Sequence, residues 1–492
     1  MKRKSAILLS WISVLILLIV VVGSIWRHIS NRAIGSCVKE KDDIEADGFR
    51  QITMDAYIEE RKKQQSIESR GSWTEDELLA FELLMDSIKD MDGDFTDAEL
   101  EGLCAPGEPR SVGKEDAIQD ASTFFRLIRE AYGAYWYFGG DKAFCQAEDA
   151  VIRALSSFAD GAVISSALLG DLIARTLQPI LSDNHFAVGG NRVAAQCRSC
   201  WVPDVYVDYE IAGLEGYMAQ TITPEGYIKW GFFAATDDFG SLPEYALICD
   251  ETVALTWAPM DTAALQPPPY YSVSYIKGIP VISARSFMPD IAEQYGVDVF
   301  EKSGALVKEN ETVILDLRGN TGGNGTYALN WLEHFINELN VKAFTAQRVS
   351  KPLLAYVKSP ESQYSEEYIE WFETQKNQWI SDYQDGSMSR NSCNIFVVVD
   401  SNVASSAEDL VFWLQHVENV FLVGTNTQGT SICGNICNFY LPNSKLAIQF
   451  GTKLNVYGSL VRSDGHGFEP DLWVEPICAI DRIVLALSAV DS

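Results

Sequence analysis

A string of ten residues, Asp400-Ser401-Asn402-Val403-Ala404-Ser405-Ser406-Ala407-Glu408-Asp409, joins an apolar run with β character (394–399) to a helical pattern carried by Leu410, Val411, Trp413, Leu414 and Val417. A serine at such a strand-to-helix turn has its Oγ exposed above the sheet edge. The free N–H groups and positive dipole end of the helix favour negative charge developing beside it. This is a mounting for nucleophilic serine chemistry. Ser401, Asn402 and Ser405 are also residue types that serve as ordinary helix N-caps.

Residues 311–325 supply a second chemical feature. The strand-like Glu311-Thr312-Val313-Ile314-Leu315-Asp316 runs into Leu317-Arg318-Gly319-Asn320-Thr321-Gly322-Gly323-Asn324-Gly325 and then a helical pattern. Glycines let the backbone take positive φ and approach a ligand closely. The turn has no G-K-[ST] and no GxGxxG, so a phosphate loop is not indicated. Its N–H groups suit an oxyanion hole, together with the N–H that follows Ser405.

The elements that position these turns form an α/β pattern. From about residue 270 strands alternate with helices, residues 201–265 are β-like, and helical periodicity dominates from Trp73 to about Leu181. Lys2-Arg3-Lys4 precedes an uncharged apolar run, 6–26, long enough as a helix to cross about 30 Å of hydrocarbon. It reads as an uncleaved signal anchor, with a cleaved signal peptide as its rival. The basic residues place the tip in the cytoplasm and the bulk of the chain outside. The expected organisation is a cytoplasmic tip (1–5), a transmembrane anchor (6–26), a charged spacer (27–70), a helical domain (71–195), a β-rich segment (196–269) and an α/β core (270–492).

Composition excludes some classes. A formal net charge of -30 argues against nucleic acid, which needs a basic face. Ten cysteines outside a membrane can pair. Cys197-Arg198-Ser199-Cys200 has no second CxxC to make a zinc ribbon and does not open a helix, so a local disulfide or free thiols is expected. Cys433 and Cys437 are positioned to staple the loop after the serine turn. The acidic run 90–101 lacks the glycine of a calcium loop, and Thr96-x-x-Glu99 reads as a capping box. No metal or organic cofactor is called for.

Several motifs in order resemble one family. Leu315-Asp316-Leu317-Arg318-Gly319-Asn320-Thr321-Gly322-Gly323 is similar to the D-L-R-x-N-x-G-G signature of the tail-specific, or carboxyl-terminal-processing, serine peptidases of family S41. Ala404-Ser405-Ser406-Ala407-Glu408 resembles their nucleophile turn, with the serine three residues before the glutamate. Val423-Gly424-Thr425-Asn426-Thr427-Gln428-Gly429, Leu441-Pro442-Asn443-Ser444 and Gly467-Phe468-Glu469-Pro470-Asp471 follow suit, as does the strand pair 275–287. The resemblance covers roughly residues 120–480. It implies a core of ββα units of crotonase-like type, closed over by the helical domain.

The resemblance assigns roles. It makes Ser405 the nucleophile and Gly322, Gly323 and Ser406 the backbone oxyanion donors. One branch of the family uses a lysine after V-G-x-x-T-x-G; Thr430 occupies that place here. The other branch, similar to the core of tricorn protease, uses a D-x-H histidine, which corresponds to Asp183-Asn184-His185. His185 is then the general base, with His466 the competitor among the other histidines. Either Asp464 or Asp183 would orient it. The expectation is a membrane-anchored, extracytoplasmic serine endopeptidase acting on peptide or protein substrates. A catalytically weak relative that only binds peptides is the alternative, motivated by Asn184, Asp464 and the missing lysine. A thiol-based role for the cysteines is a third. No carboxylate-binding G-L-G-F-type loop marks a PDZ module.

Overall fold

The computed structural model describes residues 52–67, 74, 95–260, 269–288, 294–336, 339, 341–362, 364–384, 388–457 and 464–489. The expected cytoplasmic tip, the anchor 6–26, Cys37 and the start of the acidic run lie outside them. Among the described residues, no helix is long and apolar enough to cross a membrane.

The first helix, α1 (Met54–Ile67), falls within the expected spacer yet is docked. Met54, Tyr57 and Ile58 form a stripe at helical spacing, are buried, and pack with Ile228, Phe421 and Leu472. Arg61 pairs with Asp471. The charges that suggested a spacer, such as Glu59 and Glu60, occupy the exposed side.

Four helices follow: α2 (Asp97–Cys104), α3 (Lys114–Ala131), α4 (Gly140–Ser156) and α5 (Ser166–Leu177). The predicted capping box opens α2: the Glu99 N–H donates to Thr96 Oγ1 at 3.3 Å and the Thr96 N–H to Glu99 Oε2 at 2.8 Å. In α3 Ala117, Ala121, Phe124, Phe125 and Ile128 make one buried stripe.

The strands are β1 (Ala187–Val188), β2 (Asn191–Arg192), β3 (Arg198–Val207), β4 (Met218–Ile222), β5 (Ile228–Thr236), β6 (Ala258–Pro259), β7 (Tyr271–Ile276) and β8 (Ile279–Ala284). After helix α6 (Gln294–Val307) comes β9 (Thr312–Asp316), and after α7 (Gly325–Phe335) come β10 (Ala343–Arg348), β11 (Trp379–Gln384) and β12 (Asn394–Val399). Helix α8 (Ser406–Leu414), β13 (Val420–Gly424), β14 (Cys433–Tyr440), β15 (Ala447–Val456), β16 (Leu472–Trp473) and α9 (Ala479–Ala486) complete the set used here.

The β-rich segment is an antiparallel sheet in the order β6-β3-β5-β4. The core sheet runs β7-β8-β9-β12-β13-β16 and is parallel from β8 onward, with β7 an antiparallel edge. Every residue of β12 is buried, as an interior parallel strand covered on both faces requires. The fold is mixed α/β, and β7, β8 and α6 form one ββα unit.

A second sheet, β11-β10-β15-β1-β2 with β14 paired to β15, shares one hydrophobic core with α2 to α5. The helical region is therefore packed with the second half of the chain and has no core of its own. The segment 425–432 passes from β13 in the core sheet to β14 in this second sheet. All the cysteines described are free thiols, so neither the CxxC pair nor Cys433 and Cys437 forms a staple.

Candidate active site

The serine turn is built by the end of β12. Asp400 Oδ1 accepts the N–H groups of Gly319, at 3.1 Å, and Asn402, at 3.0 Å, tying the turn to the glycine loop. Ser405 then takes φ 53° and ψ -128°, a sparsely populated conformation for a residue with a Cβ. It is the N-cap of α8 by backbone only: its carbonyl accepts the N–H groups of Glu408 and Asp409, and its side chain makes no cap bond. The ordinary N-cap reading of Ser405 therefore fails, and its hydroxyl bonds to nothing among the described residues. Ser406 is committed, donating its hydroxyl to the Gly323 carbonyl at 2.8 Å.

The glycine turn abuts this residue. A Cβ at Gly322 would lie 2.6 Å from the Ala404 oxygen and 2.8 Å from the Ser405 Cβ, so a side chain there cannot fit. Gly322 and Gly323 both have positive φ. Gly322 gives its own N–H to Asn320 Oδ1 at 2.9 Å. Of the three expected oxyanion donors, Gly323 and Ser406 therefore have their N–H groups unengaged among the described residues, whereas Gly322 has a partner. The D-L-R residues lie beneath: buried Asp316 holds Arg318 and Arg285, and the Arg285 guanidinium also donates to the Arg318 carbonyl at 2.7 Å.

His185 lies two residues before β1 and the β1-β2 hairpin. Its imidazole Nδ1 is buried with no hydrogen-bond partner. Burial pushes the imidazole below its ordinary pKa, the positive charge of Arg192 adds to this, and the Asp183 charge and a hydrogen bond with the Cys433 backbone oppose it. It is therefore held neutral at neutral pH, the form a general base needs.

Two of the other described histidines have their rings engaged by backbone, and the Nδ1 of His466 is buried like that of His185. His334 Nδ1 lies 2.6 Å from the Asn330 carbonyl and His416 Nδ1 lies 3.0 Å from that of Phe412, each one turn back along the chain. His466 is held by a backbone contact, its carbonyl accepting Asn426 Nδ2 at 2.7 Å. Lys445, the first lysine after Thr430, donates to the carbonyls of Gly102 and Ala105 at the end of α2.

The two aspartates expected to orient His185 are both buried, and both hold backbone. Asp183 Oδ1 accepts the His185 N–H at 2.8 Å and Oδ2 accepts the Tyr132 hydroxyl at 2.8 Å. Asp464 Oδ1 accepts the N–H groups of Ser431 and Ile432, at 2.9 and 3.0 Å, and its Oδ2 accepts that of Asn184 at 3.2 Å. Neither carboxylate bonds to the imidazole. Burial raises the Asp464 pKa well above the carboxylate range, and the nearby Asp183 charge raises it further.

The segment 425–432 connects the two halves. Gly429 accepts Asn184 Nδ2 at 2.9 Å on the histidine side, and Thr430 Oγ1 accepts the Ser405 N–H at 2.8 Å on the serine side. Glu408, fully buried one turn after Ser405, accepts the Gly429 and Thr430 N–H groups at 2.8 and 2.6 Å, the Thr430 hydroxyl at 2.8 Å, and the Thr427 hydroxyl. Sequence reasoning used Glu408 only as a marker of the motif and Thr430 only as the missing lysine. Their spacing to Ser405 carried no signal of this network, because it closes across 22 residues of chain. Among the described residues no group of side chains suited to a metal ion is present.

Residues 288–474, which contain both turns and the connecting segment, match the model of peptidase family S41. The chain carries the S41 peptidase core. It is a serine-type peptidase, and the Gly322-Gly323 turn and Ser405 both fall inside the matched residues, whereas His185 lies before them. No match was found among curated proteins. Solved structures similar to this chain include CPAF complexed with lactacystin (12% identity over 76% of this chain and 98% of that chain, TM-score 0.42). A peptidase from Parabacteroides merdae shows 14% identity over 77% and 98%, with TM-score 0.41. The photosystem II D1 C-terminal processing protease shows 14% over 73% and 93%, with TM-score 0.34.

Proposed function

We propose that the chain hydrolyses peptide bonds by a Ser-His mechanism of the tricorn-core type. The observation that carries this reading is Ser405 at φ 53° on the N-terminus of α8, its hydroxyl unbonded and a glycine backbone against it. Ser405 Oγ attacks the scissile carbonyl while His185 takes its proton and later returns it to the leaving amine. The N–H groups of Gly323 and Ser406 hold the oxyanion. Asp183 stabilises the imidazolium by charge and fixes the His185 backbone. Asp464 fixes Asn184 and the 431–432 backbone, which positions both halves.

In this reading residues 6–26 anchor the chain in the cell membrane as a single pass, with the peptidase core extracytoplasmic. The full-length chain is then retained in the membrane fraction through an alkaline carbonate wash. Peptide or protein substrates are its partners.

The test needs no substrate. A fluorophosphonate probe should label Ser405 in the full-length protein, mapped by mass spectrometry, and His185→Ala should abolish the labelling. The unpartnered His185 Nδ1 favours one second reading, a peptide-binding relative with a weakened relay. A folded protein that stays unlabelled would support that reading.

A further inference from the structure

Arg192 is an exposed cation beside this site. It lies on β2, where it pairs with Ala187 of β1, two residues after His185. The β1-β2 turn is Gly189-Gly190, both at positive φ, so the hairpin is tight and returns Arg192 to the histidine. Its Nη2 donates to Gln428 Oε1 at 3.1 Å. Gln428 is in turn fixed by its own N–H on the Val403 carbonyl at 2.8 Å, two residues before Ser405. The guanidinium therefore links the hairpin that follows His185 to the 425–432 segment, which the Gln428 N–H ties in turn to the serine turn. Its Nε and Nη1 have no protein partner among the described residues, and none of the described carboxylates pairs with it at ion-pair distance.

Arginine presents its donors as a planar fork that fits a carboxylate. In a chain of net charge -30, an exposed arginine left without a carboxylate partner beside the candidate site is a local exception to the surrounding field. We propose that Arg192 is a specificity-determining residue that binds a substrate carboxylate close to the scissile bond, selecting peptides with Asp or Glu at that place. The carboxylate displaces solvent from Nε and Nη1 while Gln428 holds Nη2. This inference rests on the peptidase reading.

The experiment uses the full-length protein in detergent and a proteome-derived peptide library, with cleavage sites read by mass spectrometry. Half of the library is amidated at its C-termini, which separates a side-chain carboxylate from a terminal one. Fluorophosphonate labelling of Ser405 is recorded in parallel. The expected result is enrichment of Asp or Glu at one position near the cut, unaffected by amidation. The preference should fall about tenfold in Arg192→Gln, the scale of one charge-assisted contact, through KM more than kcat. Arg192→Glu should turn the preference toward Lys and Arg, and added salt should weaken it. Enrichment lost on amidation would assign the fork to the substrate C-terminus and overturn the side-chain proposal. Labelling and cleavage with no acidic preference, or a preference unchanged in both folded variants, would overturn the inference and leave the peptidase reading standing. Absence of labelling in the wild type would remove both.

Discussion

The N–H of Ser405 donates to the Thr430 hydroxyl at 2.8 Å, and that hydroxyl donates onward to Glu408 Oε2 at 2.8 Å. The strained turn that carries the nucleophile is therefore held by a threonine 25 residues later. A hydroxyl suits this place because it accepts and donates at once.

Thr430→Val keeps the shape and removes both bonds. The Ser405 amide then loses its acceptor, and the positive-φ turn loses what over-determines it. Displacement of a reacting group by about 1 Å costs on the order of 100-fold in rate. We expect the labelling rate of Ser405 to drop roughly 10- to 100-fold in Thr430→Val and to recover in Thr430→Ser. Equal rates in all three proteins would show that the bond is idle.

Glu408→Gln tests the anchor beneath it. Four donors converge on the two carboxylate oxygens. An amide supplies one oxygen and turns N–H donors toward other N–H donors, leaving buried groups unpaired at about 1–3 kcal/mol each. The unfolding midpoint should fall by several degrees, measured by thermal denaturation, with loss of labelling below that midpoint. A midpoint matching wild type would mean that the 427–430 segment is held by other bonds.

Much of this was legible in the sequence, for a physical reason. The Gly322-Gly323 turn and the serine turn are local: a Cβ-free approach and a strand-to-helix junction are written in adjacent residues. The capping box of α2 is local too. What could not be read were the contacts closing over long separations. Asp464 looked like a partner for the imidazole, yet its oxygens face the amides of Ser431, Ile432 and Asn184. Glycine count in the loop did not reveal that Gly322 turns its N–H onto Asn320. The charges of residues 59–63 concealed the buried stripe of α1 on its other face.

The pH dependence separates activity from stability. Burial lowers the His185 pKa, so its neutral form persists below the ordinary value near 6.5. Labelling should be at its plateau by neutral pH and decline on the acid side with a midpoint below about 6.5. The buried acids act in the opposite sense. Glu408, Asp409 and Asp464 have folded pKa values raised by burial. The folded state therefore binds more protons than the unfolded state between the ordinary carboxylate range and those raised values. Their contribution to stability is fully present below the ordinary range and is lost as pH rises through the raised values. Denaturant midpoints should accordingly fall as pH rises above the ordinary carboxylate range, the direction in which labelling rises. Parallel pH curves for the two measurements would contradict the assignment.

The docking of α1 gives the last test. Tyr57 is 3% exposed and its ring centroid lies 6.2 Å from that of Phe421, which is on core-sheet strand β13. Truncating a buried aromatic costs about 3–5 kcal/mol, through lost transfer energy and the cavity left behind. Glu60, three residues further on, faces solvent, where substitutions stay within about 0.5 kcal/mol. Tyr57→Ala should therefore lower the denaturant midpoint of the peptidase core strongly, and Glu60→Ala should leave it in place. If α1 were a solvated spacer, the two variants would unfold alike. Because Asp471 holds Arg61 of α1 and also accepts the Leu422 N–H at 2.8 Å, loss of α1 would loosen the β13-β16 end of the core sheet, the side from which the 425–432 segment departs. Tyr57→Ala should then slow Ser405 labelling as well as unfold early, although Tyr57 touches no residue of the site.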